Sequence, residues 1–149
     1  MSCEARYRFE AACPSGPRLR FSEVIEFVRV TRPDGAAGRG VLLGGEMRLT
    51  VPGRATLTGS FSLFHTEGYG ARLYNYESGL PGAVSIPPMY GRGFRWYLRA
   101  RWSPGPALDI TIRYAATVKD PSATVSDPFY DLPASFTEQI GIQADFAFR

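Results

Sequence analysis

Apolar and polar residues alternate with a period of two along most of this chain. From residue 94 to residue 102 every second residue is apolar, and the residues between them are Arg95, Tyr97, Arg99 and Arg101. Successive side chains of a β-strand point to opposite faces, so this run predicts a strand with one apolar and one largely basic face. Two later runs repeat the pattern, Leu108–Lys119 and Gln139–Phe148.

The earlier part of the chain alternates in the same way. Strand-like runs cover Cys3–Ala11, Leu43–Val51 and Ala55–Leu63. The run Arg18–Val30 is also strand-like, but glutamates occupy both of its phases, so its two faces cannot be assigned. Together these runs predict an all-β protein, an antiparallel up-and-down meander of about seven long strands in a single domain over residues 1–149.

The connections between these strands alternate between short and long. The short ones are Cys13–Pro17, Pro52-Gly53 and Ser103–Pro106, and the long ones are Arg32–Gly40, Ser78–Gly93 and Asp120–Ser135. Short turns at one end and long loops at the other are typical of bacterial outer-membrane β-barrels. The pattern therefore favours a meander that forms part of such a barrel.

A soluble antiparallel barrel or sandwich also alternates, and it stays open as an alternative. Strand runs of about ten residues exceed the five or six usual in soluble sheets, which favours the membrane barrel. Aromatic residues also stand near the ends of the apolar face, where the girdles of membrane barrels lie.

The residues predicted to face lipid are Phe94, Trp96, Leu98, Trp102, Ile110, Ile112, Tyr114, Ile142, Phe146 and Phe148. Those predicted to face the lumen are Glu46, Arg48, Arg95, Tyr97, Arg99, Arg101, Asp109, Arg113 and Asp145.

The amino-acid composition excludes several classes of protein. With 44% hydrophobic and 21% charged residues the chain is not a disordered tail. No run approaches the roughly 18 apolar residues of a membrane-spanning helix, and the mean hydropathy is −0.14. The net charge of +3 comes from arginines scattered along polar strand faces, with Lys119 as the single lysine. This scatter favours polar strand faces over a nucleic-acid groove.

The two cysteines and the N-terminal sequence bear on the cellular compartment. A straight strand would hold Cys3 and Cys13 roughly 30 Å apart, beyond the reach of a disulfide. The first residues do not form a signal peptide, so we expect the chain to be a fragment of a longer exported precursor. An odd number of strands points the same way, because bacterial barrels have even numbers. The first and last strands are then expected to be unpaired with each other.

A resemblance rests on residues 63–93, an aromatic segment followed by a loop that reads SIPPMYGRG. It resembles the C-terminal β-barrel region of bacterial outer-membrane proteins, common in Bacteroidetes, labelled helix-hairpin-helix domain-containing. The matching positions are Tyr69, Arg72, Leu73, Tyr74, Tyr76, Glu77 and the loop residues Ser85, Ile86, Pro87, Tyr90, Gly91, Arg92 and Gly93. His65, Thr66 and Gly70 depart from the acidic residues frequent in that family. The chain has no helix-hairpin-helix repeat, so no nucleic-acid binding is implied.

Candidates for chemistry are few. His65 is the single histidine; Glu67, Asp120, Asp127 and Asp131 fall on the same predicted side, but no nucleophile motif accompanies them. We therefore expect no enzyme activity, no cofactor and no metal site. The Gly91-Arg92-Gly93 sequence has no helix after it and indicates loop geometry rather than a phosphate loop. The basic face indicates either an internal lattice of salt bridges, which we favour, or an anion-preferring lumen or plug-docking surface.

The sequence thus predicts a non-enzymatic, porin-like segment that anchors a larger protein in the bacterial outer membrane or forms its pore. Its expected partners are outer-membrane lipid, the missing upstream part of the same protein, and the barrel assembly machinery. The barrel assembly machinery is expected as a partner because Gly141–Phe148 resembles a C-terminal assembly signal. The alternative is a soluble β-module that binds single-stranded nucleic acid or another anionic ligand through Arg95, Tyr97, Arg99 and Arg101.

Overall fold

The computed structural model describes residues 3–14, 18–31, 37–120 and 136–147. Seven long strands form one sheet: β1 (Cys3–Pro14), β2 (Leu19–Thr31), β3 (Ala37–Val51), β4 (Ala55–Thr66), β7 (Arg92–Gly105), β8 (Leu108–Lys119) and β9 (Phe136–Phe146). Two short strands, β5 (Leu73–Tyr74) and β6 (Pro88–Met89), pair with each other, and a 3-10 turn covers Tyr69–Ala71.

The long sheet is an antiparallel meander in the order β1-β2-β3-β4-β7-β8-β9. Within the described residues β1 pairs with β2 alone and β9 with β8 alone, so the sheet is open. The predicted meander of seven long strands is confirmed. The expectation that its two edge strands, β1 and β9, do not pair with each other is confirmed as well.

The two faces of the sheet differ in polarity. We call the face covered by residues 67–91 the inner face and the opposite one the outer face. Buried positions of the inner face include Glu26, Thr58, Ser62, Arg95, Tyr97, Thr111 and Arg113. Exposed positions of the outer face include Phe27, Leu43, Met47, Leu57, Phe61, Leu63, Leu98, Trp102, Ile112, Ile140, Ile142 and Phe146. The polar residues are therefore inside and most large apolar ones outside, the reverse of a soluble core.

The structure assigns the faces of β2, which the sequence leaves open. Val24, Glu26 and Val28 are buried on the inner face, whereas Ile25 and Phe27 are exposed on the outer face. Glu26 tolerates burial because Arg6 Nη1 lies 2.6 Å from its carboxylate.

Several strand ends differ from the sequence prediction. β7 continues through the predicted turn Ser103–Pro106 to Gly105, with an irregular register after Trp102. The backbone N–H of Ser103 donates to the carbonyl oxygen of Arg54 at 2.7 Å, and this bond keeps β7 extended there. β3 begins at Ala37, inside the predicted loop Arg32–Gly40, and β1 reaches Pro14. The predicted Asp120–Ser135 loop lies, after Asp120, outside the described residues.

Candidate functional site

The connection between β4 and β7 folds back over the inner face of the sheet. We call residues 67–91 the inner segment. Its apolar contact lies near the end of the sheet where the long connections between strands lie, which we call the loop end. There Ala71, Leu73 and Met89 are buried in one cluster. The sheet residues of that cluster are Val24, Val28, Leu42 and Phe64. Burying these side chains fixes the inner segment to the strands by the hydrophobic effect.

A buried ion-pair centre lies next to this apolar contact. Glu77 of the inner segment is 2% exposed, and its Oε1 lies 2.5 Å from Arg95 Nε on β7. Its other oxygen accepts hydrogen bonds from Arg95 Nη2 at 2.9 Å and from Arg113 of β8. Arg95 also donates to the hydroxyl of Thr117 at 2.7 Å. One carboxylate therefore serves two guanidiniums, and the geometry meets the condition for tolerable buried charge.

Further hydrogen bonds surround Tyr97, which is 2% exposed. Its hydroxyl accepts from the backbone N–H of Ser78 at 3.2 Å and donates to Glu46. Arg48 Nη2 lies 3.1 Å from the carboxylate of Glu46 and 3.3 Å from the Ser78 hydroxyl. The Arg113 guanidinium lies 5.1 Å from the centre of the Tyr97 ring, within cation–π range. These contacts join the inner segment to β3, β7 and β8.

The predicted lumen-facing residues all lie on the inner face, but they fall into two groups. The inner segment covers Glu46, Arg95, Tyr97 and Arg113 and contacts Arg48. Arg99, Arg101, Asp109 and Asp145 lie nearer the end of the short turns, which we call the turn end. There Arg101 Nη2 lies 2.6 Å from Asp109 Oδ2. Asp109 and Asp145 stand opposite each other on β8 and β9.

The residues predicted to face lipid lie on the outer face where the structure describes them. Leu98 is 46% exposed and Ile112 is 48% exposed, and Trp102, Ile142 and Phe146 are exposed as well. Phe94, Trp96, Ile110 and Tyr114 are half-buried on that face, and the rings of Trp96 and Tyr114 are 5.0 Å apart. Phe148 lies outside the described residues. The predicted division of side chains between two faces is seen, while contact with lipid stays a prediction.

The loop motif that carries the family resemblance belongs to the inner segment and the start of β7. Ser85 forms a β-bridge with Glu77, and its hydroxyl donates to the Glu77 carboxylate at 3.4 Å. The ring of Tyr90 packs edge-on against Tyr69 at 5.0 Å. Gly91 has a φ of +79°, a conformation that favours glycine, as the predicted loop geometry requires. For Arg92 and Gly93 the loop prediction was wrong, because both pair within the sheet as the start of β7. Ile86 is exposed, Pro87 is half-buried, and Arg92 and Gly93 begin β7.

The inner segment also holds a cationic group above two tyrosines. Arg72 lies 4.8 Å from the centre of the Tyr69 ring and donates a hydrogen bond to the Tyr74 hydroxyl. That hydrogen bond raises the pKa of Arg72 above its ordinary value.

Of the candidates for catalysis that the structure describes, His65 and Glu67 line the same groove, and Asp120 pairs with Arg92. His65 is exposed on the outer face at the loop end, and it lines a shallow groove of about 420 Å³ with Tyr7, Phe27 and Glu67. The Glu67 carboxylate accepts from the backbone N–H of Arg39 at 3.0 Å. Asp127 and Asp131 lie outside the described residues. No cluster of three or more potential metal ligands occurs in the described part of the chain.

Sequence reasoning missed Glu77 as the partner of the arginines. It appeared only as one position of the family motif, because the inner segment has no regular period. A usable signal was present nonetheless, since the strand runs 94–102 and 108–119 carry more arginines than carboxylates on their polar faces. Buried guanidiniums require counter-charges, and a long connection is the nearest source of them.

Comparison with known proteins adds no relative. No family model, curated protein or solved structure matches the chain. In the ranges that the structure describes, there is no helix of the length and apolar character needed to cross a membrane.

Proposed function

We propose that this chain is a non-enzymatic segment of a bacterial outer-membrane β-barrel that anchors a larger exported protein or forms its pore. One observation carries the proposal: charged and hydrogen-bonding side chains are buried on the inner face, and large apolar ones are exposed on the outer face. Lipid is the solvent in which this arrangement has the lower free energy.

The outer face is difficult to reconcile with water. Soluble monomers rarely expose a contiguous apolar patch of more than a few hundred Å². Here exposed large side chains occur on every long strand from β1 to β9, among them Tyr7, Phe27, Leu43, Phe61, Leu98, Ile112 and Ile142. Neighbouring strands place these residues side by side, so the apolar surface is continuous across the sheet.

The strand lengths support the same proposal. The seven strands of the sheet have 11 to 15 residues each. A tilted strand needs about 9–11 residues to cross the hydrocarbon core of a bilayer, so each strand is long enough. The family resemblance of residues 63–93 leads to the same class of protein.

The low solvent exposure of Arg95 and Tyr97 does not support the soluble alternative, in which these residues bind nucleic acid. A nucleic-acid surface built on Arg95, Tyr97, Arg99 and Arg101 needs an accessible aromatic ring for base stacking. Tyr97 and Arg95 are instead buried beneath the inner segment. A base could stack there only if the inner segment left the sheet.

The direct test is fractionation of cells that make the protein containing this chain. We expect it to sediment with the outer membrane, to resist extraction by high salt, and to be released by detergent. A shift to the soluble fraction upon salt washing, or recovery as a soluble cytoplasmic monomer, would refute the proposal.

A further inference from the structure

Four buried polar atoms of the inner face have no hydrogen-bond partner among the described residues, and they lie close together in the sheet. They are Arg48 Nε, Thr58 Oγ1, Arg99 Nε and Thr111 Oγ1. One row across the sheet consists of the mutually opposed residues Arg20, Arg48, Thr58, Arg99 and Arg113. The next row towards the turn end consists of Thr50, Thr56, Arg101, Thr111 and Gln143.

Positive charge is in excess in these two rows. Arg99 forms no ion pair within the described residues, and Arg113 stands directly opposite it on β8. Arg48 shares the Glu46 carboxylate with the Tyr97 hydroxyl, and Arg101 pairs with Asp109. Like charges in directly opposed positions destabilise a sheet unless a counter-charge lies between them. The rows therefore combine one guanidinium without an ion pair among the described residues, that of Arg99, with two fully buried hydroxyls, on Thr58 and Thr111.

The ion-pair centre around Glu77 shows how an anion is bound on the same face of the sheet. The Glu77 carboxylate bridges Arg95, one row towards the loop end from Tyr97, and Arg113, one row towards the turn end, and it contacts the Ser85 hydroxyl. An oxyanion held by two guanidiniums and a hydroxyl is thus one way in which this fold neutralises arginines, beside the single ion pairs of Arg48 and Arg101. Arg48 and Arg99 stand in the same row as Arg113, but Glu77 pairs only with Arg113 of that row, and Arg99 has no carboxylate partner among the described residues.

An approach to these rows exists from the turn end. A cavity of about 660 Å³ lies between the β3–β4 and β7–β8 turns. Its lining includes Thr50, Thr56 and Arg101, which all belong to the second row. A small solute in the cavity would therefore meet Arg101 together with its ion-pair partner Asp109, which also lines the cavity. Arg99 lies one row further along the inner face, outside this lining.

We propose that Arg48, Arg99, Arg101, Thr58 and Thr111 form a binding site for a small oxyanion of the phosphate or sulfate type. Guanidiniums bind such anions through paired N–H groups, and hydroxyls donate to the remaining oxygens. A bound oxyanion would accept hydrogen bonds from the unpartnered Arg99 and Thr58 donors after a side-chain rotation. This proposal goes beyond the membrane role and does not depend on it, because the site lies on the face that lipid would not touch.

The test uses the full chain, purified in a non-ionic detergent and a phosphate-free buffer, with inorganic phosphate as the probe. Titration calorimetry is expected to show saturable binding. Arg99→Gln is expected to weaken it about tenfold or more, the effect of losing a charged hydrogen bond. Thr58→Val is expected to weaken it about fivefold, the effect of losing a neutral one. Arg92→Gln, which removes an exposed guanidinium from the loop end of the outer face, is the matched control and should bind as the parent does.

Thermal unfolding separates a binding site from a merely structural one. Without phosphate, Arg99→Gln should unfold at a temperature equal to or above that of the parent, because it relieves repulsion without breaking an ion pair. Phosphate should then raise the unfolding temperature of the parent and leave that of Arg99→Gln unchanged. A lower unfolding temperature for Arg99→Gln without phosphate, or the absence of saturable binding by the parent, would overturn the proposal. Fractionation bears only on the membrane role, so failure of one proposal is distinguishable from failure of the other.

Discussion

Glu77 and Arg95 form a buried ion pair, with 2.5 Å between Glu77 Oε1 and Arg95 Nε, although 18 residues separate them in the chain. Arg95 belongs to a strand of the sheet, and Glu77 to the segment that covers it. The pair therefore reports whether the inner segment lies on the sheet. Because the same carboxylate also contacts Arg113, its loss would leave two buried guanidiniums without their counter-charge.

The first prediction concerns this carboxylate. Glu77→Gln should destabilise docking of the inner segment, since removing one member of a buried ion pair costs about 3–5 kcal/mol. The expected result is faster cleavage by trypsin at Arg72, measured by limited proteolysis in detergent. Arg92→Gln is the control, because its partner Asp120 lies 3.9 Å away and Arg92 is exposed. Equal cleavage rates in the parent and in Glu77→Gln would contradict the docking role of Glu77.

The second prediction concerns two glycines near the start of β3. A Cβ added at Gly40 would lie 2.6 Å from the carbonyl oxygen of Ala71, whereas one added at Gly38 would lie 3.5 Å from the Ala71 Cβ. Gly40→Ala should therefore displace the inner segment and cost about 1–3 kcal/mol in the free energy of unfolding. Gly38→Ala should have little effect, since its contact is ordinary. The same proteolysis assay measures both, and similar cleavage rates for the two variants would show that the inner segment does not pack closely on β3.

The alternation of residues was sufficient to predict the seven long strands and the faces of all of them except β2. Side-chain direction in a strand has a period of two, so Leu98 and Arg99 had to point to opposite sides whatever the rest of the chain does. The phase of β2 could not be predicted, because the burial of Glu26 depends on Arg6 of another strand. A local pattern does not contain that information.

The inner segment was less predictable than the strands. Its residues are irregular, and their positions depend on contacts with distant strands, as for Asn75, which donates to the Ser62 hydroxyl at 3.2 Å. The arginine face was identified from sequence, but its division into neutralised and unneutralised parts was not. That division depends on how far Glu77 reaches across the sheet, which only the three-dimensional arrangement determines.

The third prediction tests the two faces against lipid. Leu98→Arg or Ile112→Arg places a charge on the outer face near the middle of a strand, which costs about 2–4 kcal/mol at the bilayer midplane. We expect reduced recovery in the outer-membrane fraction, measured by immunoblot after membrane separation. Arg99→Leu changes the adjacent residue on the inner face and should leave membrane recovery largely intact. Equal recovery of the Leu98 and Arg99 variants would argue against lipid contact at the outer face.

The last prediction concerns the edge strands β1 and β9, each of which has one neighbour in the described sheet. In an antiparallel edge strand alternate backbone N–H groups point towards the neighbour, and the others point away from it. Hydrogen exchange of the isolated chain in detergent, followed by NMR, should therefore show protection at every second amide of β1 and β9. The central strands β3, β4 and β7 should be protected at nearly every amide, because both of their neighbours accept hydrogen bonds. Dilution distinguishes a truly free edge from one covered by a second molecule, since intermolecular pairing weakens as the protein concentration falls. Continuous protection along both β1 and β9 that persists on dilution would mean that the two strands pair with each other, and it would rule out an open sheet.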